Sequence, residues 1–233
     1  MRFGPLASES ENYRKIREEL LDAEVALRDQ RERVAELRRK LPLDTVVEDY
    51  VFQEGPVALE QDGPINDIRL SELFANPGEP LVVYQYMFGG AQTKPCPMCT
   101  LWVDGFNGIG RHLNQRLNFG IVAQAGIGEL RQWARSRDWH NLRLLSCAGT
   151  DFKTDFQFGK ADGAQWPGVS VFTRTPDGSV KHFYSGSAFM KDETLHRGID
   201  LLTPFWNMLD LIPAGRGEWM PKLEYGLANV QKH

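Results

Sequence analysis

The first forty residues carry an apolar stripe of helical period on an otherwise charged segment. Its members step by alternating fours and threes, with one interruption at Gln30: Ile16, Leu20, Ala23, Leu27, Val34, Leu37 and Leu41. The spacing predicts one long helix from about Glu9 to Lys40. Ser8 and Glu11 fit a capping box at its start, and Pro42 ends it. The stripe packs either on its own domain or on a second subunit of a homodimer.

Beyond residue 43 the pattern changes to short extended pieces separated by turn signals. We therefore divide the chain into an N-terminal helical extension (1–43), a globular domain (44–225) and a tail (226–233). The run from Leu81 to Phe88 is apolar and aromatic without a break, which is typical of a strand buried on both faces. This strand is expected in the interior of a sheet.

Strand and helix patterns alternate after this run. Met98, Trp102, Phe106, Ile109 and Leu113 share one helical face, so a helix of about five turns should follow residue 97. Further elements are predicted as a strand (119–123), a helix (128–137), a strand (142–147), a hairpin turning at 175–179, and a helix (198–209). The predicted fold class is α/β, with a central mixed sheet flanked by helices.

Composition narrows the functions that this domain can have. The 233 residues are 42% hydrophobic, and the net charge of -4 offers no basic field for a nucleic-acid partner. No stretch approaches the length of a membrane span, and the N-terminus lacks the pattern of a secretory signal. We expect a cytoplasmic protein with no nucleic-acid or membrane partner.

The chemistry-bearing motif is a CxxC pair, Cys96 and Cys99, directly after the predicted buried strand. Two thiols where a strand passes into a helix are the arrangement that dithiol redox chemistry requires, because a helix N-terminus favours a thiolate over a thiol. If Cys96 caps the helix, Pro97 takes the first helical position and Cys99 lies one turn in. Cys96, with Lys94 nearby, is then the expected nucleophile, and the more enclosed Cys99 is the resolving thiol.

Two alternatives to a redox site also fit the pair. The cysteines are reduced core residues at a helix start, or they belong to a zinc site, although no second CxxC exists to complete four ligands. Cys147, in a predicted buried strand, is expected to be inert. The sequence implies no organic cofactor and no metal.

Several longer motifs extend the evidence: LVVYQYMFG, PCPMCTLWVDGFNG, HLNQRLNF, PGVSVFTR, HFYSGSAF, RGIDLLTPFWNMLD and GRGEW. These motifs resemble those of the bacterial thioredoxin-like family labelled domain of unknown function 899. The order of elements is similar to the peroxiredoxin-like (AhpC/TSA-type) branch of the thioredoxin superfamily. The resemblance implies a thioredoxin-like fold with a long N-terminal helix, and it supplies no substrate.

The resemblance also assigns expected roles to residues outside the CxxC. Pro167 precedes a strand as the cis-proline of thioredoxin-like proteins does, so Trp166 would border the thiols and bind substrate; the alternative is a trans proline that opens an edge strand. Tyr84 and Tyr86 stand where thioredoxin keeps a buried acid. This sequence therefore lacks, at that position, the buried acid that accepts a proton in thioredoxin.

A peroxidase is the main enzymatic alternative. Thr93 lies three positions before Cys96, where peroxiredoxins use a threonine to orient peroxide, so Thr93 and Lys94 are expected to bind substrate. The proline expected four residues before Thr93 is Gly89, and the expected arginine is either Arg143 or Arg174. Function is thus predicted as a thiol/disulfide oxidoreductase, with a two-cysteine thiol peroxidase and a non-enzymatic redox-sensing or binding module as alternatives. The partners would be a protein or small-molecule thiol or disulfide, or a peroxide.

Overall fold

The structure, a computed structural model, describes residues 7–191 and 196–225. The chain forms two compact units, Met1–Pro42 and Leu43–His233. Within the described ranges, no helix has both the length and the apolar character needed to span a bilayer. The predicted tail, 226–233, lies outside these residues.

The first unit is built on helix α1 (Glu11–Arg39). Its N-cap is Ser10, whose hydroxyl accepts a hydrogen bond from the Tyr13 backbone N–H at 3.1 Å. The prediction of Ser8 as the cap was therefore wrong by two residues. Both serines have the required side chain, and only the backbone conformation of Ser10 directs its oxygen at the helix N-terminus.

The second unit alternates strands and helices as the pattern predicted. Its strands are β1 (Val51–Glu54), β2 (Asn66–Arg69), β3 (Leu81–Gly89), β4 (Asn118–Gln124), β5 (Arg143–Ser146), β6 (Gly168–Arg174) and β7 (Val180–Ser187). Its helices are α2 (Pro97–Leu113), α3 (Ile127–Ser136), α4 (Phe152–Asp155) and α5 (Pro204–Leu209), with short 3-10 turns at Leu70–Leu73 and Asp200–Leu202.

These strands form a seven-stranded mixed sheet in the order β2-β1-β5-β4-β3-β6-β7. The strands β3, β4 and β5 are parallel, and their pairings with the remaining strands are antiparallel. The sheet is thioredoxin-like, and β3 lies in its interior between β4 and β6. Because β3, β4 and β5 run in one direction, their carboxyl ends meet at one edge, which is where Cys96 follows.

Two apolar clusters cover the two faces of the sheet. Tyr84 and Tyr86 of β3 contribute to the cluster that packs under α2 and α3, together with Trp102 and Phe106. On the opposite face, Phe52, Phe152 and Phe172 are fully buried with the first 3-10 turn. The alternation of side chains along β3 supplies both clusters, which explains why its sequence is apolar throughout.

The predicted final helix is broken in the structure. Residues Asp200–Leu202 form a 3-10 turn, Thr203 is extended, and α5 begins only at Pro204. Proline at the first helical position has no N–H to bond to a preceding turn, so a continuous helix from 198 to 209 was a wrong prediction. The Thr203 hydroxyl caps the new start by accepting from the Phe205 N–H.

The glycines of α2 test how closely this helix packs. A Cβ at Gly110 would lie 2.5 Å from the Asn141 carbonyl oxygen, whereas a Cβ at Gly108 would meet nothing within 4 Å. We expect Gly110→Ala to lower the free energy of unfolding by about 1–3 kcal/mol through overpacking. Gly108→Ala, the matched control, should raise it by about 0.5–1 kcal/mol, because alanine is the better helix former. Urea denaturation measures both, and equal effects would contradict the predicted close approach.

Candidate functional site

The two cysteines lie where the carboxyl end of β3 meets the N-terminus of α2. The Cys96 backbone N–H donates to the Met87 carbonyl at 3.1 Å, which holds the thiol against the strand end. Cys96 is the N-cap of α2 with Pro97 next to it, and its sulfur accepts from the Cys99 backbone N–H at 3.4 Å. The predicted cap geometry is present, with Cys96 half-buried and Cys99 fully buried.

The surroundings of Cys96 favour its thiolate. A hydrogen bond from the Cys99 thiol, the backbone N–H groups of Cys99 and Met98, and the positive charge of Lys153 together outweigh burial and lower the pKa of Cys96 from 9.0 to about 6. The lowered pKa increases the thiolate fraction of Cys96 at neutral pH. A nucleophilic sulfur of this kind is what disulfide exchange requires.

Cys99 has the opposite character. Burial, and the hydrogen bond that it gives to Cys96, raise its pKa well above the ordinary value, so it holds its proton in the reduced protein. The Met87 backbone N–H and the Tyr84 hydroxyl both lie against its sulfur and act in the other direction. The pair is therefore asymmetric, with one ionised thiol near the surface and one protonated thiol behind it.

Lys153 is the residue at this site that the sequence did not reveal. It lies in α4, its side chain is fully buried, and its ammonium donates to the Tyr86 carbonyl at 2.6 Å and to the Gln165 Oε1 at 2.9 Å. The pairing of β3 with β4 is irregular between Gln85 and Gly89, so the Tyr86 carbonyl belongs to the interrupted part of the ladder. A buried lysine thus binds the strand end beside the thiols.

Burial lowers the pKa of Lys153 from 10.5 to about 8, although the charges of the three cysteines act to raise it. Between about pH 6 and pH 8 the site therefore favours a thiolate at Cys96 and an ammonium at Lys153. Lys153 lies in a helix of only four residues, where a lysine is ordinarily solvated. Its flanking aromatic residue, Phe152, was the only sign that this turn enters the core.

The two tyrosines of β3 differ in their partners. The Tyr86 hydroxyl hydrogen-bonds to the Thr100 hydroxyl at 2.8 Å and accepts from the Trp133 indole N–H at 2.9 Å. The Tyr84 hydroxyl is equally buried and, among the described residues, makes no completed hydrogen bond. It faces the Cys99 sulfur instead, and burial together with that thiol raises the pKa of Tyr84 well above its ordinary value.

Trp166 and Pro167 do not take the arrangement expected of a cis-proline loop. The described residues contain no cis peptide bond, so Pro167 is trans. The strand that follows it, β6, lies between β3 and β7, so the expectation that a trans proline opens an edge strand was wrong. The backbone N–H of Trp166 donates to the Phe158 carbonyl at 3.0 Å, so this N–H is not free to bind a substrate. The neighbouring Gln165 is the residue that reaches the thiol site, through Lys153 and through a 2.7 Å bond from its Nε2 to the Gly89 carbonyl.

Thr93 and Lys94 lie in the turn before Cys96 and are both exposed. The lysine whose charge acts on the Cys96 thiol is the buried Lys153 rather than Lys94. Gly89, which occupies the position of the peroxiredoxin proline, has a φ of 89°, and a Cβ there would lie 1.9 Å from the Ala125 nitrogen. Proline is restricted to negative φ, so this turn is not the peroxiredoxin turn.

Neither candidate peroxidase arginine lies at the cysteine edge of the sheet. Arg143 begins β5, and its guanidinium donates two hydrogen bonds, of 2.8 and 3.0 Å, to the Glu54 carboxylate. Arg174 ends β6, beyond the pair that joins Phe172 to Leu81 at the start of β3, and it donates to the Ser71 carbonyl. Both are therefore at the opposite edge, because β5 runs parallel to β3 and β6 antiparallel.

Residues 7–191 and 196–225 hold no cluster of three histidine, cysteine or acidic side chains placed to bind a metal ion. Cys147 is buried in the cluster on the other face, where its thiol donates to the Ala123 carbonyl at 3.3 Å. Burial raises the pKa of Cys147 to about 11. This thiol is thus protonated and enclosed at neutral pH.

A groove of about 690 Å³ runs along α2 from the residue after Cys96. Its walls are mostly apolar and come from α2, α5 and the segment that follows α5, including Phe205, Met208 and Trp219. The floor carries an ion pair between Arg137 and Asp104. A molecule approaching Cys96 along this groove would contact apolar and aromatic side chains.

Comparison with solved structures finds similar folds of low sequence identity. AhpC from Enterococcus faecalis is 12% identical with a TM-score of 0.45, covering 69% of this chain and 87% of its own. The mitochondrial 2-Cys peroxiredoxin from Plasmodium falciparum is 13% identical with a TM-score of 0.44, covering 77% and 100%. The exposed lipoprotein thioredoxin Etrx1 from Streptococcus pneumoniae is 16% identical with a TM-score of 0.39, covering 60% and 91%. Likeness at this level concerns the fold alone.

A comparison with curated proteins finds no significant match. The family profile described as "Bacterial protein of unknown function (DUF899)" matches residues 4–233, which is nearly the whole chain. The sequence motifs, the thioredoxin-like sheet and this match agree with one another, and the chain belongs to the DUF899 family.

Proposed function

We propose that this protein is a thiol/disulfide oxidoreductase in which Cys96 is the nucleophile and Cys99 the resolving thiol. One observation carries the proposal: a half-buried Cys96 sulfur, ionised at neutral pH, caps α2 directly in front of the buried, protonated Cys99. The fold supports thiol redox chemistry in general, and this asymmetry supports the two-step exchange in particular.

The exchange proceeds in two balanced steps. The Cys96 thiolate attacks a substrate disulfide, forms a mixed disulfide, and releases the first substrate sulfur as a thiolate that takes up a proton. Cys99 then loses its proton and attacks the Cys96 sulfur, which releases the second substrate thiol. The substrate disulfide gains two electrons, and Cys96 and Cys99 are oxidised to a disulfide.

The electrostatics of the site support this reaction more than peroxide reduction. The cation that acts on Cys96 is a buried lysine bound to backbone and amide oxygens, while Arg143 and Arg174 are committed to partners at the opposite edge. Thr93 is exposed in the preceding turn. The apolar groove along α2 favours a disulfide carried on an apolar organic group or peptide.

Substitution of each cysteine separates the two steps. Cys96→Ser should lower turnover of a small-molecule disulfide to less than about 1% of wild type, because a hydroxyl is not ionised at neutral pH. Cys99→Ser should instead trap the substrate on Cys96 as a mixed disulfide, visible by intact mass spectrometry. If Cys96→Ser turned over as fast as wild type, the oxidoreductase proposal would be wrong. Silent assays together with an oxidation-dependent change of oligomeric state would favour the redox-sensing module.

The pH dependence of alkylation tests the electrostatics without a substrate. Iodoacetamide should modify Cys96 with a midpoint at about pH 6 in the wild type. Cys99→Ala should raise this midpoint most, since it removes the first cause of the lowered pKa, while Cys99→Ser keeps a donor and should raise it less. Lys153→Met should raise it by a smaller amount through loss of the buried cation.

Lys181→Met is the matched control for the lysine, since Lys181 lies on β7 near the start of β3, at the edge away from the cysteines. Its midpoint should equal that of the wild type. A wild-type midpoint near the ordinary value of 9.0 would contradict the thiolate assignment.

We propose further that α1 pairs with a second copy of the chain. No residue of α1 is buried, and the stripe residues Ile16, Leu20 and Leu27 are each more than half exposed. Burial of such a stripe against its equal is the ordinary means of stabilising a helix of this length.

Light scattering should therefore give twice the 26.5 kDa chain mass at micromolar concentration. The double variant Leu20→Gln/Leu27→Gln should give the monomer mass, because glutamine removes the apolar contact. Glu18→Gln/Glu32→Gln, on the other side of the helix, should leave the dimer intact. A monomeric wild type would remove the proposal.

A further inference from the structure

The Tyr84 hydroxyl is an unexplained polar group in the core of the protein. Tyr84 is fully buried, and its hydroxyl oxygen has no completed hydrogen bond within the described residues. A buried hydroxyl without a completed hydrogen bond lowers the stability of a folded protein, and its presence therefore needs an explanation.

The other buried tyrosines in the described chain have partners. Tyr50 donates to the Asp155 carboxylate at 2.5 Å, and Tyr86 bonds to both Thr100 and Trp133. The orphan hydroxyl is therefore specific to one position. That position faces the Cys99 sulfur.

Cys99 has the environment in which such a hydroxyl is useful. Its sulfur is fully buried behind Cys96, and the Met87 backbone N–H also lies against it. In the resting protein Cys99 is a neutral thiol, a weak acceptor whose S–H donates a hydrogen bond to the Cys96 sulfur. When Cys99 ionises, its fully buried sulfur becomes a strong acceptor, and the Met87 N–H and the Tyr84 O–H both lie against it.

We propose that the Tyr84 hydroxyl is a catalytic group of the resolving step, donating a hydrogen bond to the Cys99 sulfur as that thiol loses its proton and attacks the mixed disulfide. The inference rests on the oxidoreductase function proposed above. Tyr84 itself stays protonated, because burial and the thiol raise its pKa well above 10.0. It therefore acts as a donor and leaves the proton balance of the reaction unchanged.

The resolving step begins from a mixed disulfide between Cys96 and a substrate thiol. The Cys99 S–H bond breaks, a Cys99–Cys96 disulfide bond forms, and the bond from Cys96 to the substrate sulfur breaks. The released substrate thiolate takes up one proton, which equals the one that Cys99 gave up. The Tyr84 hydroxyl makes no completed hydrogen bond with the described residues before this step and donates a charge-assisted one during it, so it stabilises the transition state more than the ground state.

Single-turnover kinetics with dithiobis(nitrobenzoate) test the proposal, because each exchange step releases one coloured thiolate. The reagent is used at one equivalent in a Cys147→Ala background, so that only Cys96 and Cys99 react. The first phase reports attack by Cys96, and the second reports resolution by Cys99. Tyr84→Phe should slow the second phase by about 10- to 100-fold, which is the worth of a hydrogen bond to a charged group. Its first phase should match the background protein.

Tyr86→Phe is the matched control, two residues away on the same strand and the same face. It removes the bonds to Thr100 and Trp133, so it should lower the melting temperature while keeping the ratio of the two rates. Tyr84→Phe should show the reverse, with an unchanged or higher melting temperature, because an unpaired hydroxyl is removed. A structural role for Tyr84 would move both phases together.

Each outcome decides the question. A slower second phase with an unchanged first phase in Tyr84→Phe supports the proposal. An unchanged second phase, or an equal slowing of both phases, overturns the proposal. If the background protein releases only the first coloured thiolate, Cys99 does not resolve, and the oxidoreductase proposal fails together with this one. A two-phase background protein with an unaffected Tyr84→Phe variant overturns the tyrosine assignment alone.

Discussion

The site depends on how the last carbonyl groups of β3 obtain hydrogen bonds where the regular sheet ladder ends. Buried carbonyls must be paired, and four successive ones are paired by four different parts of the chain. Tyr86 accepts from Lys153, Met87 from the Cys96 N–H, Phe88 from the Ala125 N–H, and Gly89 from Gln165. Each partner brings a functional or supporting group to one place. The position of the CxxC is thus a consequence of backbone pairing as much as of its own sequence.

This arrangement concentrates costs that the rest of the domain must offset. A lysine is buried, a tyrosine hydroxyl lacks a completed hydrogen bond with the part of the chain that the structure describes, and Gly89 holds a positive φ against the Ala125 backbone. Gly89 is the residue that this backbone conformation requires, whereas selection for stability alone would remove the buried lysine and the hydroxyl. Their common location around the two thiols suggests that they are retained for chemistry, since a thiolate needs a nearby cation and a buried sulfur needs donors when it ionises.

Much of the fold was predictable, because local pattern and tertiary packing agree there. The continuous apolar run of β3 and the turn at 175–179 each have one physical solution, and both are present. The predicted face of α2 is present only in part, since Trp102 and Phe106 are buried and Ile109 is exposed. Errors occurred where two local signals competed. Ser8 and Ser10 both carry a capping hydroxyl, and Pro204 divides what the apolar spacing read as one helix. In each case a backbone dihedral or a missing N–H decided between the signals.

The sequence by itself determined the dithiol, its helix N-cap and the burial order of Cys96 and Cys99, because these follow from residue type and spacing within a few positions. Only the tertiary structure decided the charges and donors around it. Lys153 is 54 positions from Cys99 along the chain and Gln165 is 12 positions beyond Lys153, and no spacing rule connects them. Tyr84 was visible as a tyrosine in place of an acid, but whether its hydroxyl would find a partner depended on the packing of α2. Electrostatics within a core act through space rather than along the chain, so they become readable only once the elements are packed.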